Sequence, residues 1–191
     1  MVIHHWRVLT TVIQIGGAQM IKFLKKVIST AIFCAMPVVG LAFQNEPIGF
    51  RDLYWGETLE EVKQGREVQY FDYLPKANSV MYSVQLNPDE SKTLSRVPIA
   101  GESFFAVFWN DKLWRITLFC KGEDAFSSLK NAMIQVYGRP EGSEWDRCWW
   151  IGETTCLAVE KDKQVEGAAR ISLLSSKIMM DLSKEQASQG W

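Results

Sequence analysis

The sequence predicts an α+β domain, in which an antiparallel β-sheet of about seven strands carries two helices packed on one face. Two observations favour this fold class. Segments rich in β-branched and aromatic residues follow one another with short turns between them, which is typical of antiparallel hairpins. Two segments with helical spacing of apolar residues each precede such a run, which gives the order helix, four strands, helix, three strands.

The two helices are marked by signals at their ends. The first is predicted over residues 59–64, where Thr58 and Glu61 have the spacing of a capping box at the N-terminus. The second is predicted over residues 123–137, because apolar residues recur there at steps of three and four and Gly138 follows.

Seven segments combine high strand propensity with flanking turn residues. Between the third and fourth, Asn110 and Asp111 form a two-residue hairpin turn. The predicted strands cover residues 68–74, 80–86, 103–109, 112–120, 145–150, 154–160 and 169–174.

The first hairpin has two apolar faces. With Trp109 opposite Lys112, strict alternation predicts a core face made by Phe105, Val107, Trp114, Ile116, Leu118 and Cys120. The other face is more apolar than a solvent face should be, so it is either covered by the loop 87–98 or the C-terminal segment, or it binds another protein. On the second interpretation, an arginine there is positioned for cation–π contact with the phenylalanines. The candidate binding surface is Phe104, Phe108, Leu113, Arg115 and, from the second hairpin, Trp150.

The second hairpin is predicted to turn about Gly152. That register places Cys148 directly opposite Cys156, at a separation that a disulfide can bridge with local adjustment. The same register assigns Trp145 and Trp149 to the core side. Cys120, on the core face of the first hairpin, is the odd cysteine and is expected to be an inert buried thiol.

Residues 20–42 have the three-part layout of a secretory signal peptide. Lys22, Lys25 and Lys26 form a basic start, residues 27–39 are apolar, and small residues precede a cleavage position after Ala42. The apolar run is shorter than the roughly 20 residues that a membrane-spanning helix needs, so no stable anchor is expected after cleavage. Residues 1–19 do not fit this layout and are interpreted as an over-extended N-terminus. The mature chain is then one domain over residues 43–180 with a polar tail over 181–191, located in the periplasm or secreted.

Removal of the leader changes what chemistry is available. Both histidines, His4 and His5, lie in the leader, so the mature chain has neither a histidine base nor a histidine metal ligand. Four of the 21 bases and none of the 22 acids lie before residue 43, which leaves the mature part with 17 bases, 22 acids and a net charge of −5. That balance argues against a nucleic-acid partner. We expect no cofactor and no metal.

The segment Trp55-Gly56-Glu57-Thr58-Leu59-Glu60-Glu61-Val62 resembles the helix opening of many small exported bacterial proteins. The later segments 113–116 and 137–140 fit the same loose pattern. A similar helix start occurs in small envelope α+β modules, such as outer-membrane assembly lipoproteins and β-lactamase-inhibitor-like domains, although this chain has no lipid-attachment cysteine. The resemblance implies a small envelope domain and carries over no catalytic residue.

Two functions remain open at this point. The first is a non-catalytic envelope protein that binds a protein partner, either another protein or a second copy of itself. The second is a secreted hydrolase that uses two carboxylates, or a carbohydrate-binding protein that uses exposed tryptophans. A cleft lined by two facing acids would distinguish the second function from the first.

Overall fold

The computed structural model describes Phe43 and residues 45–101 and 103–188. The predicted signal peptide, the residues before it and the last three residues lie outside this part of the chain. Its elements are, in order, β1 (Gly49–Phe50), β2 (Leu53–Tyr54), α1 (Leu59–Gly65), β3 (Val68–Leu74), a 3-10 turn (Pro75–Ala77), β4 (Ser79–Gln85), β5 (Thr93–Leu94), β6 (Val97–Pro98), β7 (Ser103–Trp109), β8 (Lys112–Lys121), α2 (Ala125–Tyr137), β9 (Gly142–Ser143), β10 (Arg147–Ile151), β11 (Thr155–Lys161), β12 (Ala168–Ser175) and α3 (Ser176–Ser188).

Eight strands form one sheet in the order β3-β4-β7-β8-β12-β11-β10-β9, and each neighbouring pair is antiparallel. All seven predicted strands belong to this sheet, and the eighth is the two-residue β9 at one edge. The α+β class with a mainly antiparallel sheet is therefore confirmed. The short pairs β1-β2 and β5-β6 lie outside the sheet.

Both predicted helices form, with the expected caps. Thr58 Oγ1 accepts a hydrogen bond from the Glu61 N–H at 3.2 Å, and the Glu61 carboxylate accepts from the Thr58 N–H at 2.7 Å. Helix α2 begins at Ala125 because Asp124 is its N-cap, whose side chain accepts from the backbone three residues on. At its end, Gly138 has a φ of +83°, a conformation that favours glycine.

A β-bulge at Trp114 decides which side chains of the first hairpin face α2. Phe108 pairs with Leu113, but Val107 pairs with Arg115, so Trp114 is an extra residue and the alternation changes phase there. Strict alternation was therefore the wrong assumption for this hairpin. The side chains of β7 and β8 that belong to the core shared with α2 are Phe104, Ala106, Phe108, Leu113, Ile116, Leu118 and Cys120.

The second hairpin turns further along the chain than predicted. Cys148 pairs with Val159, and Ile151 pairs with Cys156. Cys148 therefore belongs to the core shared with α2, while Cys156 points to the opposite face of the sheet. The three cysteines of the described residues are free, and the predicted disulfide between Cys148 and Cys156 is wrong, because Gly152 starts the turn instead of forming its centre.

We expect alkylation of the denatured, non-reduced protein to label all three thiols, those of Cys120, Cys148 and Cys156. In the native protein, Cys120 and Cys148 should stay unlabelled, because burial raises the pKa of each thiol to about 11 and keeps the reagent out. Intact mass spectrometry counts the adducts. A single adduct on the denatured protein would show that two of the three cysteines form a disulfide.

A third helix, α3, follows β12 directly and runs into the predicted polar tail. Ile178 and Leu182 lie one turn apart and are both buried, so the helix has a narrow apolar face. The predicted boundary at residue 180 falls inside α3. The described residues thus hold three helices instead of two, and the hydroxyl of Ser176 at the start of α3 lies 3.4 Å from the Cys156 sulfur, on the face away from α2.

A charged cluster fastens the loop after β4 to the chain around β1 and α1. The Arg66 side chain is only 1% exposed, and its guanidinium donates to Asp52 and to both carboxylate oxygens of Glu90 at 2.7 and 2.8 Å. Arg51 also pairs with Glu90, at 3.0 Å. Hydrogen bonds from Arg66 hold the pKa of Glu90 at about 2, well below its usual range.

Candidate binding edge

The predicted binding residues do not form an exposed surface. Phe104, Phe108, Leu113 and Trp150 are all buried in the core shared with α2. The prediction placed them outside because it followed strict alternation through the bulge of β8 and used the wrong turn for the second hairpin. These residues stabilise the fold and are not available to a partner.

Arg115, the fifth predicted residue, lies on the other face of the sheet from the phenylalanines it was expected to contact. Its guanidinium carbon lies 5.5 Å from the centre of the Trp114 ring, so the cation–π contact has a different aromatic partner. Its Nε is buried without a hydrogen-bond partner among the described residues. Burial lowers the pKa of Arg115 to about 10.

Of the tryptophans that the structure describes, Trp145 is the exposed one, and the sequence did not single it out for binding. Trp145 was predicted to face the core, and 75% of it is exposed. The ammonium groups of Lys161 and Lys163 lie 5.5 and 5.9 Å from its ring centre, and Lys163 also pairs with Asp146. The ring is therefore a single aromatic group among charges of both signs, which gives it no clear chemical preference for a ligand.

The two edges of the eight-stranded sheet differ in how far they are protected. At one edge, β9 pairs with only two residues of β10. The next N–H of β10 that faces this edge belongs to Ile151, and it donates to the Glu141 carboxylate at 2.9 Å. A very short edge strand and side-chain capping are common ways to prevent pairing with another chain.

The other edge is a complete strand. β3 runs for seven residues, and no strand of the described chain lies on its outer side. Tyr70 is 60% exposed and Tyr73 is 44% exposed. They pair with Tyr82 and Val80 of β4, so both rings lie on the face of the sheet that carries α2.

Ring contacts connect this edge to the core. The Tyr70 ring packs edge-to-face on Tyr82 at 6.0 Å, and Tyr82 packs in the same way on buried Phe108 at 5.7 Å. The Tyr73 hydroxyl donates to the Asn78 side-chain oxygen at 2.8 Å. Both exposed tyrosines are therefore held in place before any partner binds, which reduces the entropy that binding would cost.

The backbone groups of β3 that point outward follow from the pairing with β4. Gln85 donates to the Glu67 carbonyl at 2.9 Å, so residues 67 and 85 form a hydrogen-bonded pair. Along an antiparallel strand, successive residues direct their backbone groups alternately toward the partner strand and away from it, so the N–H and C=O of Tyr70 point outward. The bulge between residues 70 and 72 shifts this alternation by one residue, so the N–H and C=O of Tyr73 also point outward. In agreement, the Tyr73 N–H donates to the Asp72 carboxylate at 2.8 Å.

The carboxyl groups with a shifted pKa in the described chain do not have the shift that a general acid needs. Within residues 45–101 and 103–188, Glu61 and Glu90 have a clearly lowered pKa because of hydrogen bonds, whereas a general acid needs a raised pKa. Burial raises the pKa of the Cys156 thiol, which disfavours a nucleophilic thiolate. No group of three metal-ligating side chains is present among the residues that the structure describes.

No helix within residues 45–101 and 103–188 is long and apolar enough to cross a membrane. Comparison with protein-family models, with curated proteins and with solved structures finds no match. The assignment of a function therefore depends on the geometry of the chain itself.

Sequence reasoning predicted β3 as a strand but did not predict that it lies at the edge. Its two tyrosines are three positions apart, so strict alternation would place them on opposite faces. The bulge puts both rings on one face, and the order of strands in the sheet leaves no described strand beside them. The one available signal was the mixture of apolar and acidic residues over 67–74, with Pro75 immediately after, which is common in edge strands.

Proposed function

We propose that this chain is an exported, non-catalytic bacterial envelope protein that binds a protein partner by adding the partner's strand to β3. The observation that carries the proposal is the seven-residue strand β3, beside which no strand of the described chain lies on the outer side, with its two exposed tyrosines, Tyr70 and Tyr73. In strand addition, backbone hydrogen bonds supply much of the affinity and alternate side chains supply the specificity. Tyrosine is among the residues that most often dominate the energy of such contacts.

The contrast between the two sheet edges supports this choice. Both edges carry one outward N–H that a carboxylate caps, and β3 also has a bulge, but the β9 edge strand is two residues long whereas β3 keeps seven. Strand addition also needs a rigid template, and the ring contacts from Tyr70 through Tyr82 to Phe108 provide one.

The proposed export includes cleavage after Ala42, and the residues just after that position make contacts within the described chain. Phe43 is buried and packs edge-to-face on Tyr137 at 5.0 Å. The Glu46 side chain accepts hydrogen bonds from the N–H groups of Thr154 and Thr155. A cut just before Phe43 would keep every one of these contacts in the mature protein.

Replacing both Tyr70 and Tyr73 by lysine should abolish partner binding while the domain stays folded. The lysines remove the aromatic contacts and add charge to the edge, which is a natural way to block strand pairing. Each protein is immobilised, exposed to envelope extract of the source cell, and its bound proteins are quantified by mass spectrometry.

The matched control is Tyr54→Lys, because Tyr54 is also 50% exposed but lies on β2, outside the sheet. We expect this variant to retain the proteins that the wild type retains. Equal retention by the β3 variant and by the wild type would refute binding at this edge.

A further inference from the structure

We propose that the strand added to β3 is the β3 of a second copy of this chain, in a register that places Tyr70 of one copy opposite Tyr73 of the other. This inference rests on the proposed function, since it names the partner for the same edge. A two-fold axis would pass between residues 71 and 72, and the two sheets would join into one continuous antiparallel sheet.

The backbone of β3 fits this register. Val68, Tyr70 and Tyr73 are the β3 positions whose N–H and C=O groups point outward, and in this register Tyr70 and Tyr73 oppose each other. Opposed across the axis, each pair can exchange two hydrogen bonds, so the symmetric contact contains four. A register displaced by one residue would place inward-pointing backbone groups of one copy against outward-pointing groups of the other.

The side chains fit the same register. Tyr70 and Tyr73 lie on the α2 face, while Gln69 and Leu74 pair with Ser83 and Ser79 on the opposite face. The proposed register sets Tyr70 against Tyr73 and Gln69 against Leu74, so each pair lies on one face. This register is specific. With the bulge in β3, a displacement by one residue in either direction would place a side chain on one face of the sheet opposite a side chain on the other face.

Charge complementarity favours a second copy over an arbitrary strand. Glu67 lies just before β3 and Lys76 lies in the 3-10 turn just after it, and both residues are exposed, so antiparallel pairing brings the acidic end of each copy's strand near the basic end of the other. The two ends of the contact therefore each carry one pair of opposite charges. Such pairs affect the choice of partner and register more than they affect affinity.

The same geometry predicts a weak dimer. Two seven-residue strands with two tyrosines each bury less than a standard interface, so we expect a Kd on the order of 10–100 µM. Asp72 opposes pairing as well, since its carboxylate occupies the Tyr73 N–H at 2.8 Å. Replacing Asp72 by alanine frees that N–H in both copies and should tighten the dimer by about 30-fold, the effect of two hydrogen bonds of ordinary net strength.

Sedimentation velocity tests self-association on protein purified after expression of the full chain. The wild type should change from monomer to dimer over the micromolar range, Asp72→Ala should dimerise at lower concentration, and Tyr70→Lys should remain monomeric. Tyr54→Lys is the matched control and should behave as wild type. A wild type that is monomeric up to several hundred micromolar would overturn the inference, as would an Asp72→Ala variant that dimerises less well.

Cysteine cross-linking tests the register, in a Cys156→Ser background that removes the least buried native thiol. The double variant Gln69→Cys, Leu74→Cys should form a disulfide-linked dimer under mild oxidation. Gln69→Cys alone should not, because its two copies would lie five positions apart along the strands, or about 17 Å. Equal cross-linking of the single variant would overturn the register.

The outcomes separate this inference from the proposed function. A monomeric wild type whose β3 variant still loses its bound envelope proteins would refute the second copy and leave strand addition standing. If the β3 variant kept both its self-association and its bound envelope proteins, the proposed function and the inference of a second copy would both be refuted.

Discussion

Replacing Trp150 by alanine will lower the free energy of unfolding by about 3–5 kcal/mol, the range measured for large aromatic residues removed from cores. Trp150 is fully buried between the sheet and the end of α2. Its indole N–H donates to the Gly138 carbonyl at 2.9 Å, so the substitution leaves a cavity and also a carbonyl that has lost its partner. Urea denaturation followed by far-ultraviolet circular dichroism measures the change.

Trp145→Ala is the matched control for this substitution. The same side chain is removed five positions earlier, from a site that is 75% exposed, and we expect a change within about 0.5 kcal/mol. If the two variants lost similar stability, the assignment of Trp150 to the core and of Trp145 to the surface would be wrong.

Replacing Arg66 by methionine will destabilise the domain by about 2–4 kcal/mol near neutral pH, somewhat less than for a fully buried ion pair because Asp52 is 57% exposed. Methionine keeps much of the packing on Phe104, over which the guanidinium lies at 5.5 Å. It leaves Glu90, whose side chain is only 16% exposed, without its main partner. Lys63→Met removes one partner of an exposed ion pair with Glu60 and should have little effect.

The Arg66 cluster also predicts a dependence on pH. The pKa of Glu90 is about 2 in the folded protein, below the ordinary value of 4.5. The folded state therefore binds the proton less readily than the unfolded state, and the resulting stabilisation is complete above pH 4.5 and is lost as the pH falls toward 2. Thermal melts between pH 2 and 6 should show this loss in the wild type and a shallower loss in Arg66→Met. Parallel curves would contradict the role given to Arg66.

Local features of the fold were predictable because their causes are local. The capping box at Thr58, the turn at Asn110 and Asp111 and the glycine after α2 each depend on residues within a few positions of one another. The positive φ angles of 48° and 58° at Asn110 and Asp111 are those of the expected two-residue hairpin turn.

The predicted assignment of side chains to the two faces of the sheet was wrong for reasons that residue periodicity does not reveal. One extra residue at Trp114 reverses the alternation of β8 near the turn, and the turn after Ile151 sets the register of Cys148 and Cys156. Each error is small along the chain, but it moves every dependent side chain to the other face. The buried Phe104 and Phe108 were therefore mistaken for a surface.

The candidate site was beyond sequence reasoning because it is a property of strand order. β3 lies at an edge only because β4 pairs with β7 and because no described segment returns to the outer side of β3. The position of α3 was also hidden, since only two apolar side chains, Ile178 and Leu182, become buried in an otherwise polar helix.

Hydrogen–deuterium exchange of β3 tests the central claim, that this strand is the binding edge, most directly. We predict that the amides of residues 68–74 exchange more slowly when envelope extract is added, or at high protein concentration if the partner is a second copy. The segment 162–167, which joins β11 to β12, should be unchanged. Unchanged exchange in β3 together with new protection elsewhere, such as around Trp145, would contradict the claim.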